Sequence, residues 1–583
     1  MHCSACSRSP SSASRAENGN KRAATPENEA GIPMWQRGWG KYDTLVSTAV
    51  LILALSVPGL GKTTPNEGYV GNEPCARCHS SIYESYRRTA MARASGPAIE
   101  TLSPAEFAHK PSGVHYRIYT EGGQAWLSFD RSGDPSVSGR RRLLYYIGSG
   151  RRGKTYLFET DGFLFESPVN WYADAQVWDM TPGYQDTRAI PLNLPAYTSC
   201  LHCHVSGMQP PVKGTANRYP EPAFTQNGVV CEGCHGPGAA HVKGGAIVNP
   251  AKLMPARRDE VCMQCHLEGK AAIERPGRHL YEFRPGDTLA DYVRYFVLVG
   301  VQGAGLGAVS QVEAILQSKC KKESGDVMSC TSCHDPHQSP TTEDRVAYYR
   351  RKCLACHGAA FGARHHGNRP DCTECHMPAS RSTDVAHTQV TDHRIPRRPQ
   401  MSLQDAATQR SAPRLVPFPS SQKIEPRDLA LAWVSLVESG MSVGETQERL
   451  LLFAAVKQSP DDPALLTALG YLSQKRGATA EARELYRRAL GLAPESIDAA
   501  TNLGVIEAQA GHMQEAVRLW QDAFKRAPDR SSIGMNIARL YCQAGMGDEA
   551  KAYLLRVLEF SPDLSPARKM LQELAKSPAN CRP

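Results

Sequence analysis

The sequence contains no concentrated cluster of basic residues and no long run of hydrophobic ones. Its 583 residues carry a formal net charge of +9, which is mildly basic for this length. A nucleic-acid-binding protein needs Lys and Arg gathered on one face, so their dispersal here argues against nucleic acid as a partner. The apolar run from Leu45 to Val57 is short for a membrane-spanning helix, which needs about 20 residues.

Long amphipathic helical patterns are also scarce in the first 400 residues. The whole chain contains 48 glycines and 41 prolines, which interrupt regular helices and strands. The length allows two to four domains. The side chains of the first 400 residues nevertheless offer little apolar area for a core. Another buried group is therefore expected to supply apolar surface there.

Cysteine, in contrast, is abundant, with 19 residues. Fourteen of them belong to seven Cys-x-x-Cys-His motifs, and these are Cys75, Cys78, Cys200, Cys203, Cys231, Cys234, Cys262, Cys265, Cys330, Cys333, Cys353, Cys356, Cys372 and Cys375. Zinc sites use paired cysteines but need no histidine after each pair. A histidine follows every pair here, which is typical of c-type haem attachment. The sequence therefore predicts seven covalently bound haems c.

The spacing of this motif follows from the chemistry of attachment. Each thiol forms a thioether with one haem vinyl group, and residues i and i+3 lie on the same side of one helical turn. The adjacent histidine then lies under the iron as the proximal ligand. The predicted proximal ligands are His79, His204, His235, His266, His334, His357 and His376.

Residues outside the motifs are candidates for the second axial ligand. His241 has the best position, because it follows the turn Gly236–Gly238 after the third motif. His337 follows a turn after the fifth motif and is expected to serve a neighbouring haem. The further predicted ligands are His387, His393, His109 and Met91. The sequence gives less reason to assign His279, His365 and His366, whereas His202 is expected at the surface and His115 in a structural role.

Met91 and Cys320 each allow two interpretations. Met91 lies in a helix predicted over residues 80–94, where it could ligate an iron and raise its potential or pack in a core. Cys320, ten residues before the fifth motif, is either a buried thiol, which we favour, or a sulfur presented to a haem. Any iron without a second ligand would offer a site for substrate chemistry.

The chain begins with a predicted leader over residues 1–62. Met34 is the expected true start, because a basic stretch at residues 35–41 precedes the apolar run, as in an export signal. This pattern predicts a periplasmic or otherwise exported bacterial protein. An uncleaved signal segment that anchors the protein in the membrane is the alternative, because no Ala-x-Ala cleavage site is present.

Residues 63–396 are predicted to form the heptahaem cytochrome domain. Within it, residues 109–190 contain no motif, and their alternating β-branched and aromatic residues, interrupted by glycine pairs, predict hairpin strands. Residues 397–425 are rich in Pro, Ser and Gln and are predicted to be a linker. The predicted fold class is mixed: a mostly α, haem-dominated cytochrome with a β-rich insert, followed by an all-α solenoid.

That solenoid is predicted from an internal repeat over residues 426–576. Prolines recur every 34 residues, at Pro426, Pro460, Pro494, Pro528 and Pro562. This period is typical of tetratricopeptide (TPR) repeats, each a pair of helices, and predicts four units. Such arrays present a concave face that binds peptides or proteins. We therefore predict that a redox partner protein docks in the TPR groove, and the alternative is an array that only spaces or dimerises the chain.

Three segments resemble a known family. Residues 231–241, 330–337 and 391–393 look like multihaem cytochromes of the c-552/c-554 type, which are related to the haem scaffolds of hydroxylamine oxidoreductase and pentahaem nitrite reductase. The resemblance covers roughly residues 70–395. It implies that His241 is an iron ligand and that the protein carries electrons between partners. The chain departs from the family in having seven motifs instead of four, a β insert, and Met91 where histidine is common. It also has no clear counterpart of the related enzymes' tyrosine cross-link or Lys-ligated catalytic haem.

Three functions agree with these observations. The first is an exported cytochrome that carries electrons along its haems and is not an enzyme. The second is a reductase or other oxidoreductase of a small nitrogen or sulfur compound at one haem with an open coordination position. The third is a TPR scaffold that assembles a redox complex.

Overall fold

The computed structural model describes residues 67–299, 307–365, 369–397, 414–419, 423–439 and 445–576. All of them fall within one compact unit. The predicted leader, with Met34, the export signal and any membrane anchor, lies outside these residues, as does His366. In the described ranges, no helix combines the length and the apolar character that crossing a membrane requires.

An eight-stranded antiparallel sheet follows the first motif. Helices α1 (Asn72–Cys78) and α2 (Ser80–Tyr86) precede it. Its strands are β1 (Ser95–Pro97), β2 (Ala105–His109), β3 (Val114–Glu121), β4 (Gln124–Arg131), β5 (Asp134–Ile147), β6 (Gly153–Thr160), β7 (Phe163–Tyr172) and β8 (Val177–Met180). Strands β2 to β8 pair in sequence order, and β1 pairs with β5. The predicted β-rich insert is confirmed, although the sheet begins before residue 109.

Alternation of buried and exposed side chains explains why these residues form a sheet with one covered face. In β3, Val114, Tyr116 and Ile118 are buried, and the residues between them point outward. Burying side chains of this size stabilises the fold by about 1.5–3 kcal/mol each. The β3–β4 hairpin turns at Gly122 and Gly123, whose φ values of +57° and +72° suit glycine in a two-residue turn.

The helix predicted over residues 80–94 ends early, at Tyr86. Its hydroxyl donates to the carbonyl of Val229 at 2.6 Å, and the backbone nitrogen of Val229 donates to the carbonyl of Met91 at 3.0 Å. Ser95 then accepts a hydrogen bond from the nitrogen of Gly228 at 2.8 Å. Residues 87–94 therefore turn against a distant segment instead of continuing the helix.

Short helices and small sheets make up the rest of the motif region, which we define as residues 67–397. Its helices are α3 (Thr198–His204), α4 (Glu232–His235), α5 (Ala239–Val242), α6 (Pro255–His266), α7 (Gln311–Gln317), α8 (Lys319–Ser324), α9 (Cys330–Cys333), α10 (Arg345–His357), α11 (Ala359–Arg364) and α12 (Cys372–His376). Its strands are β9 (Val205–Met208), β10 (Phe224–Asn227), β11 (Ala271–Glu274), β12 (Val293–Val299), β13 (Ala379–Arg381) and β14 (Gln389–Thr391). Five 3₁₀ turns lie at Ala98–Glu100, Pro250–Lys252, Leu280–Glu282, Leu289–Asp291 and Gly325–Val327. The expectation of a mostly α, haem-dominated domain stays a prediction.

The predicted linker contains a strand, β15 (Arg414–Phe418). It pairs with β12 in antiparallel register, from Tyr295↔Phe418 to Val299↔Arg414, and extends the β11–β12 pair to three strands. Pro417 is tolerated because β15 is the edge strand of that sheet. The pairing partner lies more than a hundred residues earlier, so local composition did not reveal the strand.

The C-terminal part is the predicted TPR solenoid. We call residues 426–576 the repeat array. Its helices are α13 (Pro426–Glu438), α14 (Glu445–Gln458), α15 (Pro463–Lys475), α16 (Thr479–Leu492), α17 (Ile497–Gln509), α18 (Met513–Arg526), α19 (Ser531–Gln543), α20 (Gly547–Phe560) and α21 (Ser565–Lys576). The first eight form four pairs, as predicted. Gly477, Gly511 and Gly545 have φ values of +80°, +84° and +73° at the turn within a pair, which explains their 34-residue period.

The array packs against the motif region at both of its ends. At its start, Arg275 of the motif region contacts Glu425 at 2.7 Å and Asp428 at 2.5 Å. At its end, Arg131 pairs with Asp563, and Phe560 belongs to the same buried cluster as the sheet residues. The sheet and the last repeat therefore share one hydrophobic core.

Candidate haem sites

Each of the seven motifs lies at the carboxyl end of a short helix. The helices α1, α3, α4, α6, α9, α10 and α12 end at the motif histidine or at the residue before it. In an α-helical turn the two cysteines lie on one side, and the histidine follows beneath them. The helical turn that haem attachment requires is therefore present at all seven positions. Cys200 of the second motif is disulfide-bonded in this structure, whereas the other thirteen motif cysteines are free.

Cysteines of different motifs contact one another. Neighbouring thiols join motifs one and three, two and four, four and five, and six and seven. The pairs are Cys75–Cys231, Cys203–Cys265, Cys262–Cys330 and Cys353–Cys372. Cys234 also lies near Cys262, and Cys333 near Cys353. The spatial order of the motifs is therefore one, three, four, five, six and seven, with motif two beside motif four.

A single cavity of about 1690 Å³ runs along most of these motifs. Pockets for one small ligand usually measure about 300–1,000 Å³, so this cavity has the size for several large planar groups. Motif residues Cys203, Cys265 and Cys330 line its wall, together with Met91 and Cys320. Cys320 also lies close to Cys333 and Cys353, between motifs five and six.

Four motif histidines each face an imidazole from elsewhere in the chain. The pairs, with the distance between ring centroids and the angle between ring planes, are His79–His241 (6.3 Å, 8°), His235–His337 (6.1 Å, 5°), His334–His393 (6.3 Å, 26°) and His376–His365 (5.9 Å, 25°). Metal–imidazole bonds are about 2.0–2.1 Å long, which places the centroids of two opposed ligands about 6 Å apart. All four separations fit one metal ion between two rings.

Hydrogen bonds of the paired imidazoles leave the correct nitrogen for a metal. Nδ1 donates to a backbone carbonyl in His235 (Val248, 2.9 Å), His241 (Gly245, 3.0 Å), His376 (Pro396, 2.9 Å) and His393 (Thr391, 2.9 Å). A carbonyl can only accept, so Nδ1 carries the proton and Nε2 presents its lone pair. This second contact is typical of metal-ligating histidines, whose orientation it fixes.

Burial keeps these groups in their neutral forms. It lowers the pKa of His235 and His393, and it lowers the pKa of His334 to about 4. A neutral imidazole is the form that binds a metal. Burial also raises the pKa of the Cys234 thiol to about 11, which disfavours the thiolate that a zinc site would need.

The structure brings together only some of the predicted second ligands. His241, His337 and His393 face motif histidines, and His337 lies against His235 of the third motif. Their ligation stays a prediction. His109 does not reach a motif: it is buried at the end of β2, where its two ring nitrogens bond Ser112 Oγ and the carbonyl of Gln185, both at 2.8 Å. These bonds engage both nitrogens, so the assignment of His109 as a ligand is corrected.

His387 is also placed away from the motifs. Its Nε2 lies 2.6 Å from Asp179 Oδ2, and its ring packs on Tyr172 of β7. It therefore ties the segment after the last motif to the sheet, which corrects its assignment as a ligand. In its place the structure offers His365, which faces His376 and follows the sixth motif by eight residues.

Two other expectations for histidines have different outcomes. His202 is not a surface residue: its Nε2 is buried at the wall of the cavity. His115 lies on the sheet beside Glu106 and Asp130, at 3.7 Å from each, which fits its structural role. Met91 lines the cavity, and its ligation stays a prediction.

Motif helices, opposed imidazoles and a shared cavity define the class of the protein. It is a multihaem c-type cytochrome joined to a TPR domain, with haem c as its cofactor. Residues 181–236 match the family described as cytochrome c554 and c-prime, residues 323–362 match the doubled CXXCH motif, and residues 507–575 match the tetratricopeptide repeat.

Individual proteins resemble parts of the chain. The multiheme cytochrome MtrA of Shewanella baltica (strain OS185) is 26% identical over 186 residues, which cover 28% of this chain and 54%, about half, of that protein. The crystal structure of MamA is 18% identical, with a TM-score of 0.21, over 23% of this chain and 75% of that one. A tetratricopeptide repeat protein from Parabacteroides merdae is 20% identical, with a TM-score of 0.22, over 25% and 55%.

Proposed function

We propose that this protein is an exported electron carrier with seven haems c, one attached at each motif. The four opposed imidazole pairs carry the proposal, because each combines a motif histidine with a histidine from elsewhere at the separation of two ligands on one iron. When bound, haem c supplies one-electron redox chemistry. The two axial imidazoles leave no position for substrate, which suits a carrier more than an enzyme.

Each part of the chain has a separate task in binding the cofactor. The fourteen motif cysteines form the covalent thioethers, for which the disulfide of Cys200 must first be reduced. The seven motif histidines are the proximal ligands. His241, His337, His393 and His365 are the proposed second ligands. Backbone carbonyls fix the rings of His241 and His393. The order of the cysteine contacts proposes the electron route: motifs one, three, four, five, six and seven, with motif two as a branch from motif four.

The repeat array is proposed to bind a redox partner protein. TPR domains bind peptides and proteins, and this array also contacts its own motif region. Tyr197 lies beside Asp529 and Arg530, near the start of α19, and Lys213 reaches Glu495 at 3.6 Å. These parts of the array face the motif region, so the partner is proposed to bind elsewhere on it. The array thus scaffolds the cytochrome as well as a partner.

Export is proposed from the leader sequence. A basic segment followed by a short apolar run directs a chain across the bacterial inner membrane. Fractionation of cells and sequencing of the mature amino terminus test this point. A cytoplasmic protein would contradict export, and a mature protein that keeps residues 45–57 would indicate a membrane anchor.

Low-temperature EPR on the purified protein, with haem quantified against protein, tests the proposed carrier. Seven haems per chain are expected, with at least four low-spin signals from bis-imidazole irons. Fewer than four such signals would overturn the ligand assignment.

Deleting residues 426–576 and measuring partner capture tests the array, but the deletion also uncovers the shared core, so haem content must be measured in parallel.

One observation favours the second candidate, a reductase at an open haem. Among the described residues, no second imidazole stacks on the ring of His266 or of His357. Gln311 Oε1 lies 3.5 Å from His266 Nδ1, and the Phe361 ring lies 5.3 Å from that of His357. An iron held there without a second ligand could bind a small oxyanion. Spectral titration with nitrite, hydroxylamine or sulfite tests it, and a fully low-spin spectrum that none of them changes would exclude it.

A further inference from the structure

Glu232 is a buried carboxylate inside the third motif. Its side chain is 1% exposed, although glutamate is rarely buried without several hydrogen bonds. Its oxygens accept from the backbone nitrogen of Val70 at 2.9 and 3.1 Å, of Gly71 at 2.7 Å and of Gly238 at 2.7 Å. One carboxylate thus binds two separate stretches of backbone.

These stretches lead to the two histidines of one opposed pair. Gly71 directly precedes α1, which carries the cysteines of the first motif and ends just before His79. Gly238 directly precedes α5, which carries His241. The carboxylate therefore fixes the start of both elements at once, with Oε1 on one side and Oε2 on the other.

Further contacts join the residues around the first motif to the residues around the third. Asn72 Oδ1 accepts from the backbone nitrogen and from the thiol of Cys231, both at 3.0 Å. The nitrogen of Ala239 also donates to the carbonyl of Gly68 at 3.0 Å. Residues just before the first motif and residues within and after the third are thereby held as one rigid body.

Small residues around the carboxylate show how closely the backbone approaches it. A Cβ on Gly238 would lie 3.0 Å from Glu232 Oε1 and 3.2 Å from Val70 Cγ2. Gly71 has a φ of +77°, which side chains other than glycine adopt at a cost. The space around Glu232 therefore accommodates its carboxylate and little additional volume.

We propose that Glu232 is a positioning residue that sets the relative orientation of His79 and His241 and holds a negative charge beside the first and third haem sites. The proposal rests on the proposed haem ligation. A carboxylate near an iron site favours the more positive, oxidised state, and amide donors hold this one without neutralising it. Removing the charge therefore raises the reduction potential of the adjacent sites, and removing its hydrogen bonds changes the angle between the two rings.

Glu232→Gln tests the proposal, because it preserves the shape of the side chain but cannot accept on both sides. Glu374→Gln is the control, since Glu374 also lies between the two cysteines of a motif, the seventh, but is exposed. We expect the Glu232 variant to keep its full haem content, to shift the g-values of one low-spin EPR signal, and to raise at least one potential in a spectroelectrochemical titration. His241→Ala identifies which signal belongs to the His79–His241 pair.

Identical signals and potentials in wild type and Glu232→Gln would overturn the proposal. Should that variant not mature, Gly238→Ala provides the second measurement, because it keeps the carboxylate and displaces it from one side. A shift of the same signal supports the proposal, and an unchanged signal overturns it. A wild-type protein without covalent haem would instead contradict the proposed function, so the two failures are distinguishable.

Discussion

Phe560 packs its ring on that of Phe165 with centroids 5.6 Å apart and planes 57° apart. Phe560 ends the last helix pair of the repeat array, and Phe165 lies in β7 of the eight-stranded sheet. Both side chains are at most 1% exposed. An interface between independent domains is usually more polar, so this contact indicates that the array and the sheet fold as one body.

Phe560→Ala is therefore expected to destabilise the sheet as well as the array. Removing a buried phenylalanine costs about 3–5 kcal/mol, because it loses apolar burial and leaves a cavity. Guanidinium unfolding, followed by far-ultraviolet circular dichroism, measures the change. Leu555→Ala is the control on the same helix, since Leu555 is 53% exposed and a change there is expected to remain within about 0.5 kcal/mol. Equal stability of the two variants would contradict a shared core.

The contact at the other end of the array is expected to depend on pH. A hydrogen bond from Arg275 holds the pKa of Glu425 below its ordinary value. The pair therefore stabilises the fold above the ordinary pKa of a glutamate, and this contribution is lost as the pH falls through the lower folded-state pKa. More than a third of Glu425 is exposed, so screening limits the effect to about 1 kcal/mol or less.

Glu425→Gln should remove this contribution at neutral pH and make no difference in acid. Denaturation midpoints of wild type and variant, measured between about pH 7 and pH 3, are expected to converge as the pH decreases. Glu484→Gln, at an exposed position of α16, should follow wild type throughout. A constant difference across this range would show that the ion pair is not responsible.

His241→Ala should convert one bis-imidazole iron to high spin. The ring of His241 faces His79 at 6.3 Å, and alanine supplies no ligand in its place. EPR is expected to lose one low-spin signal and gain one high-spin signal, with haem content unchanged. The control is His115→Ala, because His115 contacts only the surface carboxylates of Glu106 and Asp130 among its described ion pairs. A spectrum unchanged by His241→Ala would reject the pairing.

Replacing Cys262 and Cys265 with alanine should interrupt the proposed electron route at its branch point. The fourth motif contacts motifs two, three and five through these cysteines, so six haems per chain and much slower electron transfer between the two ends are expected. Mass spectrometry counts the haems, and stopped-flow reduction measures the rate. Cys320 lines the same cavity, so Cys320→Ala is the control. This variant should keep seven haems and the wild-type rate of electron transfer. An unchanged rate in the double variant would mean that electrons take another path.

The elements that the sequence predicts well have short repeating patterns. Alternation over Val114–Tyr119 and the 34-residue period of the array both arise from local geometry, and both are confirmed. The strand Arg414–Phe418 was missed because its partner, β12, is distant in sequence and only tertiary pairing stabilises it. The helix after the first motif was predicted too long for the same reason, since contacts with Gly228 and Val229 end it.

The residues of the candidate site also divide into those that local sequence patterns predict and those that depend on tertiary packing. The motif cysteines and histidines are recognisable from spacing alone. The histidines that oppose them are recognisable only in part, because His79 and His241 are 162 residues apart and their pairing depends on how the motifs pack. His109 and His387 have suitable residue types but lie where Ser112 and Asp179 already bind them. Glu232 carries no distinguishing mark in sequence, since its partners are backbone amides.

The core shared by Phe560 and Phe165 also constrains how the protein is made. A chain emerges from the ribosome from its amino terminus onward, so the sheet is complete in sequence nearly four hundred residues before the helix that covers it. Until that helix arrives, the apolar cluster around Phe165 lacks one of its largest side chains and remains open. The motifs that lie between the sheet and this helix are therefore synthesised while the core is still incomplete. We expect haem attachment to them to begin before the last repeat completes the core.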